Sequence, residues 1–202
     1  GGSAETGYLG ELRERGGAFA SIRLPLARAE SAQSGARESY GEIHEAFKTK
    51  EVCLLHGVTS SGKTEIYVRL IHEVLRLGRQ VLYMLPEIAI TTQITERLAK
   101  LFGDKLLVYH SKFSDNERVE VWNKLLHNDE PMLVLGVRSS LFLPFKDLGL
   151  IIVDEEHENT YKQQDPAPRY HARNAAIVLA GMHGGKTLLG PPPPPFDSSF
   201  NA

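Results

Sequence analysis

The stretch that most constrains the fold of this chain is Gly57-Val58-Thr59-Ser60-Ser61-Gly62-Lys63-Thr64. It has the pattern G-x-x-x-x-G-K-[ST], which is typical of a loop that binds nucleotide phosphates. An apolar run at 52–55 precedes it, and a segment with helical periodicity follows it. This motif needs a strand before it and a helix after it, so the context favours a phosphate-binding loop over a Gly-rich turn with a surface lysine.

The residue types of this loop fit the chemistry of phosphate binding. Glycines let successive backbone N–H groups converge on phosphate oxygens, and the N-terminus of the following helix adds the positive end of its dipole. We expect Lys63 to contact the β- and γ-phosphates of ATP and Thr64 to hold Mg²⁺. The predicted nucleotide-binding residues are Gly57, Val58, Thr59, Ser60, Ser61, Gly62, Lys63 and Thr64.

The composition is that of an ordinary soluble globular protein. Of 202 residues, 42% are hydrophobic, and the formal net charge is −2, so we expect one compact domain. This balance indicates neither a nucleic-acid nor a membrane partner, and such a partner must be inferred from local motifs. Cys53 is the one cysteine, which excludes a disulfide framework and fits a reducing cytoplasm. The chain shows no signal peptide and no apolar run of membrane-spanning length.

Apolar runs and amphipathic segments alternate along the chain. Strands are predicted within 21–26 and at 52–55, 80–85, 105–109, 132–135, 150–153 and 186–189. Helices are predicted at 38–47, from the phosphate loop to about 77, at 93–102, at 114–127 and at 172–181. The fourth helix begins with a capping box at Ser114 and is expected to bury Val121, Trp122 and Leu125, and His110 is also expected in the core. This alternation predicts an α/β fold with a mostly parallel sheet, helices on both faces and all the motifs at one edge.

An acidic motif follows the predicted strand 150–153. Asp154 stands where a Walker-type ATPase holds Mg²⁺ at the end of a buried strand. Glu155 is then placed to orient or deprotonate the attacking water. A solvated acidic loop is the alternative, but the complete phosphate loop upstream favours catalysis by Glu155, Lys63 and Asp154, with Thr64 and Asp154 as Mg²⁺ ligands.

Several separate stretches, over about residues 42–190, resemble motifs of the PriA family of superfamily 2 DEAH/DExH-box DNA helicases. The phosphate loop with Glu65 resembles motif I, and Asp154-Glu155-Glu156-His157 resembles the D-E-x-H box of motif II. Further similar stretches are 85–93, 110–122 with its H-S-x-x-S-x-x-E-R-x-x-x-W pattern, 136–145, and the aromatic loop around 161–163 and 169–173. The resemblance implies the first RecA-like lobe of an ATP-dependent helicase that restarts stalled replication forks by unwinding DNA.

Two groups of predicted DNA-binding or coupling residues follow from this resemblance. Strand-end loops with hydroxyls and an arginine can hold DNA phosphates, and plain loop structure is the less favoured alternative. Rings in the loop after motif II can stack on unpaired bases, pack as core, or sense DNA and report to the ATP site. The residues are Glu87, Thr91, Arg138, Ser139, His157, Tyr161, Lys162, Arg169 and Tyr170.

The chain also departs from the family pattern. The family has Ser-Ala-Thr-Pro after Gly190, where this chain has five prolines, Pro191 to Pro195, and the family's adenine-contacting glutamine motif is not in register. The second lobe with its arginine finger, the zinc-binding cysteines and the amino-terminal DNA-binding domain lie outside these residues. Zinc is therefore expected only in the remainder of a family protein.

These observations predict three regions: a linker or arm at 1–37 that is partly a tag, the ATP-binding lobe at 38–190, and an altered or extended tail at 191–202. The expected cofactors are ATP and Mg²⁺, and the expected partners are forked or single-stranded DNA, primosome proteins and single-strand binding protein, with no membrane. The expected location is the bacterial cytoplasm, at the nucleoid. The alternatives are a nucleotide-binding docking module without turnover and, less favoured, a phosphate-loop kinase, for which the sequence shows no acceptor site.

Overall fold

Seven parallel strands form one sheet in the computed structural model, which describes residues 19–23, 32–56, 60–154 and 172–190. They are β1 (Phe19–Arg23), β2 (Val52–His56), β3 (Gln80–Met84), β4 (Leu106–Tyr109), β5 (Leu133–Gly136), β6 (Leu148–Val153) and β7 (Lys186–Leu189). Their order across the sheet is β1-β2-β7-β6-β3-β5-β4, and every neighbouring pair is parallel. All the carboxyl ends of the strands therefore lie at one edge.

Five α-helices connect these strands within the described ranges. They are α1 (Ala32–Ala46), α2 (Ser60–Arg76), α3 (Thr92–Phe102), α4 (Asp115–His127) and α5 (Ala172–Met182). Short 3₁₀ turns follow β3 and β5 at their carboxyl ends, at Glu87–Ala89 and Arg138–Phe142, and a third precedes β4 at Gly103–Lys105. The turn after α2 contains Gly78 with a positive φ of 80°, which a glycine adopts without strain.

The two faces of the sheet bury separate apolar layers. Along β2, Cys53 and Leu55 face one layer while Val52 and Leu54 face the other, as the period of two in a strand requires. Side chains of α1, α2 and α3 cover the first face, and side chains of α4 and α5 cover the second. The predicted α/β fold, a parallel sheet with helices on both faces, is confirmed.

The amino-terminal elements differ from the sequence prediction. The predicted strand at 21–26 instead spans Phe19–Arg23 and pairs with β2, and α1 begins at Ala32 rather than at 38. Both elements thus belong to the same sheet and helix layers as the region after 38, although the sequence assigns them to an arm. The sequence pattern missed the bounds of β1 because this edge strand is held by backbone hydrogen bonds to β2. Such bonds do not depend on side-chain type, so the five residues of β1 show little hydrophobic periodicity.

The placement of α4 is confirmed for two of the three predicted core residues. Val121 and Leu125 are buried, but Trp122 is 43% exposed. Trp122 lies about 100° around the helix from Val121, so the apolar stripe is narrower than predicted. His110 is also not a core residue: it is half-buried against the Phe113 ring, 4.1 Å between centroids.

The capping box at the start of α4 is confirmed. The hydroxyl of Ser114 accepts a hydrogen bond from the Glu117 N–H at 3.3 Å, and the Glu117 carboxylate accepts one from the Ser114 N–H at 2.7 Å. The N–H and the hydroxyl of Ser114 both donate to the Glu117 carboxylate and lower the pKa of that carboxyl. The two bonds of the capping box satisfy backbone donors that the first helical turn would otherwise leave unpaired.

Arg79 joins three elements at the amino edge of the sheet, opposite the motifs. Its Nε donates to the Asp147 carboxylate at 3.0 Å, and one of its Nη atoms donates to the carbonyls of Leu148 at 2.9 Å and His183 at 2.7 Å. It therefore connects the start of β3, the start of β6 and the turn between α5 and β7.

We expect Arg79→Ala to lower the free energy of unfolding by about 2–3 kcal/mol, because two backbone carbonyls lose a charged donor. The exposed partner Asp147 contributes little to this value. Urea unfolding monitored by circular dichroism measures the change, with Arg97→Ala on the exposed surface of α3 as the matched control. Equal losses in the two variants would show that the Arg79 contacts do not stabilise the fold.

None of the helices in the described residues is long and apolar enough to cross a membrane.

Candidate nucleotide-binding site

Two charged side chains meet at the carboxyl edge of the sheet. Asp154 directly follows β6, its N–H donates to the carbonyl of Met84 at 3.0 Å, and it is only 3% exposed. Lys63 lies in the first turn of α2 and is 9% exposed. Parallel strands place the end of β6 and the start of the helix after β2 at the same edge, which is how two residues far apart in the chain become neighbours.

Lys63 and Asp154 form a buried ion pair. The Nζ of Lys63 lies 3.0 Å from Oδ1 of Asp154, and their side chains are 11% and 4% exposed. Burying either charge alone would be costly, so each stabilises the other in this position. The structure thus brings together two of the three predicted catalytic residues, and their catalytic roles stay predictions.

Two buried tyrosines, which the sequence analysis did not identify, also contact Asp154. The hydroxyl of Tyr67 on α2 donates to Oδ1 at 2.9 Å, and the hydroxyl of Tyr83 on β3 donates to Oδ2 at 3.3 Å. The two rings contact each other edge to face, with centroids 5.5 Å apart. A signal existed in the sequence, because a tyrosine within an apolar run needs a partner for its hydroxyl.

Gly190 directly follows β7 and lies against Asp154 and Tyr67. Its N–H donates to the carbonyl of Val153 at 2.7 Å. A Cβ at this position would lie 2.5 Å from Oδ1 of Asp154 and 2.7 Å from the hydroxyl of Tyr67. Only glycine leaves room for the carboxylate and the phenol together.

The structure describes part of the predicted phosphate loop. Gly62 and Thr64 are half-buried in the first turns of α2, which begins with Ser60 and Ser61. The other predicted residues of the site and of the loop after motif II lie outside the described residues: Gly57, Val58, Thr59, Glu155, His157, Tyr161, Lys162, Arg169 and Tyr170.

The turn after β3 contains the predicted residues Glu87 and Thr91. Oε1 of Glu87 accepts hydrogen bonds from the hydroxyl and the N–H of Ser111, at 2.7 and 3.3 Å. The carbonyl of Ser111 in turn accepts from the guanidinium of Arg118 on α4, at 2.7 Å. Thr91 is exposed and caps α3, its hydroxyl accepting from the Ile94 N–H at 3.4 Å. Glu87 therefore fixes the turn after β3 to the segment after β4.

The turn after β5 contains the predicted residues Arg138 and Ser139, both half-buried. It lies beside the turn after β3, because these strands pair and the Leu85 N–H donates to the Gly136 carbonyl at 3.0 Å. The Ser140 hydroxyl donates to the Val137 carbonyl, which tightens this turn. Four predicted DNA-contacting or coupling residues thus share one edge of the sheet with Lys63 and Asp154.

Arg173 belongs to the stretch that resembles the end of the family's aromatic loop, and it lies in the first turn of α5. It is 3% exposed, and burial lowers the pKa of its guanidinium to about 10.

The residues present fit a magnesium nucleotide. Mg²⁺ that is bound with a nucleotide is typically held by one or two protein ligands, with phosphate oxygens and waters supplying the rest. The Asp154 carboxylate and the Thr64 hydroxyl are ligands of that kind. In the part of the chain that the structure describes, no group of three or more His, Cys, Asp or Glu side chains could hold a metal ion.

A parallel sheet with helices on both faces, a P-loop lysine and a strand-end aspartate define a RecA-like P-loop nucleotide-binding lobe. The model of the DEAD/DEAH box helicase family matches residues 40–187. The chain belongs to the DEAD/DEAH box helicase family.

Two similar proteins of known name are replication restart proteins. The chain is 44% identical over 168 residues to the replication restart protein PriA of Bacillus subtilis, across 82% of this chain and 21% of that protein. It is 46% identical over 150 residues to the replication restart protein PriA of Haemophilus influenzae, across 74% of this chain and 20% of that protein. The chain therefore spans about a fifth of the length of these relatives.

A solved structure shares the fold. It is a nuclease-deletion mutant of the Type ISP restriction-modification enzyme LlaGI in complex with a DNA substrate mimic, with a TM-score of 0.52. The match covers 79% of this chain and 17% of that chain, at 13% identity. At this identity the likeness concerns the fold alone.

Proposed function

We propose that this chain is the ATP-binding lobe of a bacterial replication-restart helicase that uses ATP hydrolysis to unwind DNA. The observation that carries the proposal is the buried contact of Lys63 with Asp154, 3.0 Å, at the carboxyl edge of a RecA-like sheet. A P-loop lysine and a strand-end carboxylate are the two side chains that such an ATPase needs at its phosphates and its metal. The identity to replication restart proteins supports the choice of DNA as the partner.

Each residue of the site then has a distinct role. Lys63 binds the β- and γ-phosphates, Thr64 and Asp154 hold Mg²⁺, and Glu155 orients or deprotonates the attacking water. Mg²⁺ supplies positive charge that stabilises the phosphoryl group during transfer. The backbone of the phosphate loop, from Gly57 to Gly62, binds phosphate oxygens through its N–H groups.

The DNA-contacting surface lies on the turns next to this site. Arg138 and Ser139 bind DNA phosphates without reading sequence, and Thr91 adds a hydroxyl. Glu87 acts differently, because a carboxylate repels phosphates and this one is already bound to Ser111. We assign Glu87 a coupling role that holds the DNA-facing turn in place.

Residues after motif II would report DNA binding to the ATP site. The loop after Asp154 and Glu155 contains His157, Tyr161, Lys162, Arg169 and Tyr170. Aromatic rings among them can stack on unpaired bases, and basic side chains can pair with phosphates. The proposed substrates are forked or single-stranded DNA, and the proposed protein partners are primosome components and single-strand binding protein, in the bacterial cytoplasm at the nucleoid.

The experiment that tests the proposal measures ATP hydrolysis with and without single-stranded DNA. It compares this chain with a longer form that also carries the second helicase lobe. We expect the longer form to be faster by about 10³ to 10⁵, since the second lobe brings an arginine to the transition state, and to be stimulated by DNA.

Two results would contradict the proposal. If the longer form binds ATP but hydrolyses none with or without DNA, the chain is a nucleotide-binding docking module. If both forms hydrolyse ATP equally fast, the catalytic apparatus is complete in these residues, and the proposed role of a second lobe is wrong.

A further inference from the structure

The carboxylate of Asp154 is held at both of its oxygens by side chains that the proposed chemistry does not use. Tyr67 donates to Oδ1 and Tyr83 donates to Oδ2, from α2 and β3 respectively. Both tyrosines are buried, at 0% and 2% exposure. Their edge-to-face ring contact and the apolar layer around them leave the hydroxyls little freedom to turn away.

Lys63 shares Oδ1 of Asp154 with Tyr67. In the proposed reaction the ammonium group of Lys63 is needed at the nucleotide phosphates, so its contact with Asp154 must weaken when a nucleotide binds. The tyrosine hydroxyls are not needed at the phosphates. They can keep the carboxylate in one orientation after Lys63 has left it.

We propose that Tyr67 and Tyr83 are positioning residues that hold the Asp154 carboxylate ready for Mg²⁺ while Lys63 moves between this carboxylate and the phosphates. The inference rests on the proposed function of the site as an ATPase. Without the two hydroxyls, the carboxylate is held less firmly in one orientation, and Mg²⁺ binds it more weakly. Gly190 also helps to position the Asp154 carboxylate, because a Cβ there would displace the carboxylate and the Tyr67 hydroxyl together.

The test is the Mg²⁺ dependence of nucleotide binding, measured with a fluorescent ADP analogue on the 202-residue chain. Tyr67→Phe and Tyr83→Phe remove the hydroxyls and keep the rings. Tyr40→Phe is the matched control, since it removes the hydroxyl that donates to Glu73 at 2.5 Å, between α1 and α2. Each variant is titrated with Mg²⁺ at millimolar nucleotide, and its affinity is also measured in the presence of EDTA.

We expect Tyr67→Phe to raise the Mg²⁺ concentration for half-maximal binding by roughly 10-fold or more, the usual size for loss of a hydrogen-bond partner of a metal ligand. Tyr83→Phe should have a smaller effect, because its bond to Asp154 is longer, 3.3 Å against 2.9 Å. For both tyrosine variants, the nucleotide affinity in EDTA and the unfolding temperature should match those of Tyr40→Phe. If the tyrosines acted in packing alone, the nucleotide affinity in EDTA and the unfolding temperature would fall, and the Mg²⁺ dependence would not change.

Gly190→Ala provides a second arm, because it crowds the carboxylate without removing a hydroxyl, and it should raise the Mg²⁺ requirement as well. The inference is overturned if the tyrosine variants need no more Mg²⁺ than Tyr40→Phe. It is also overturned if their nucleotide affinity in EDTA falls by the same factor as their nucleotide affinity in Mg²⁺. Failure of the unaltered chain to bind nucleotide, with or without Mg²⁺, would instead overturn the proposed function and the inference with it.

Discussion

Lys63→Ala is expected to abolish nucleotide binding almost completely. The variant removes the mobile cation that a P-loop places at the β- and γ-phosphates, and charge-assisted contacts of this kind are among the strongest in a binding site. Isothermal titration calorimetry of this chain with Mg²⁺ and ATP measures the loss. Unchanged affinity would remove the basis for assigning Lys63 to the phosphates.

The same variant has a second expected effect, on stability. Removing Lys63 leaves the Asp154 carboxylate, 4% exposed, without its cation. Loss of one partner of a buried ion pair typically costs about 3–5 kcal/mol, and we expect the lower end because the hydroxyls of Tyr67 and Tyr83 remain. Lys48→Ala is the matched control, since Lys48 forms an exposed pair with Glu45 and should change the free energy of unfolding by less than about 1 kcal/mol.

Glu155→Gln should give the second large effect, on catalysis. In the longer form with both lobes, the variant should bind ATP normally but hydrolyse it at least about 100-fold more slowly, because a positioned general base contributes about 10² to 10⁴ in rate. Single-turnover hydrolysis with excess enzyme separates the chemical step from binding. Glu156→Gln makes the same chemical change one residue further on and should slow hydrolysis much less.

The comparison between these two glutamates decides which carboxylate acts on water. Asp154 is fixed at the end of β6 by its own backbone hydrogen bond to Met84, and Glu155 and Glu156 are the next two residues in the sequence. If Glu155→Gln keeps the full rate and Glu156→Gln loses it, the assignment of the base is wrong. If both variants keep the rate, the base lies elsewhere in the chain.

Much of the fold follows from the sequence because its strands are buried on both faces. All residues of β3 and β6 are buried, so each strand is a continuous apolar run that stands out between polar segments. The phosphate loop and Asp154 are marked by local motifs next to such runs, which is why their position at one edge of the sheet could be predicted, although their direct contact was not.

Other features could not be predicted, because they depend on contacts between distant parts of the chain. Tyr67 and Tyr83 are 87 and 71 residues from Asp154, and only the sheet order brings them to its two oxygens. The crowding at Gly190 has the same origin. The prediction that Trp122 is buried was wrong for another reason. Helical spacing identifies the apolar stripe of a helix but not how much of the width of that stripe packs against the sheet.

The most direct test of the account is a crystal structure of this chain with Mg²⁺ and a non-hydrolysable ATP analogue. The account predicts that Nζ of Lys63 leaves Oδ1 of Asp154 for the phosphates, while Asp154 and Thr64 face the metal and the hydroxyls of Tyr67 and Tyr83 stay on the carboxylate. A nucleotide bound elsewhere, with the 3.0 Å contact between Lys63 and Asp154 intact, would contradict it.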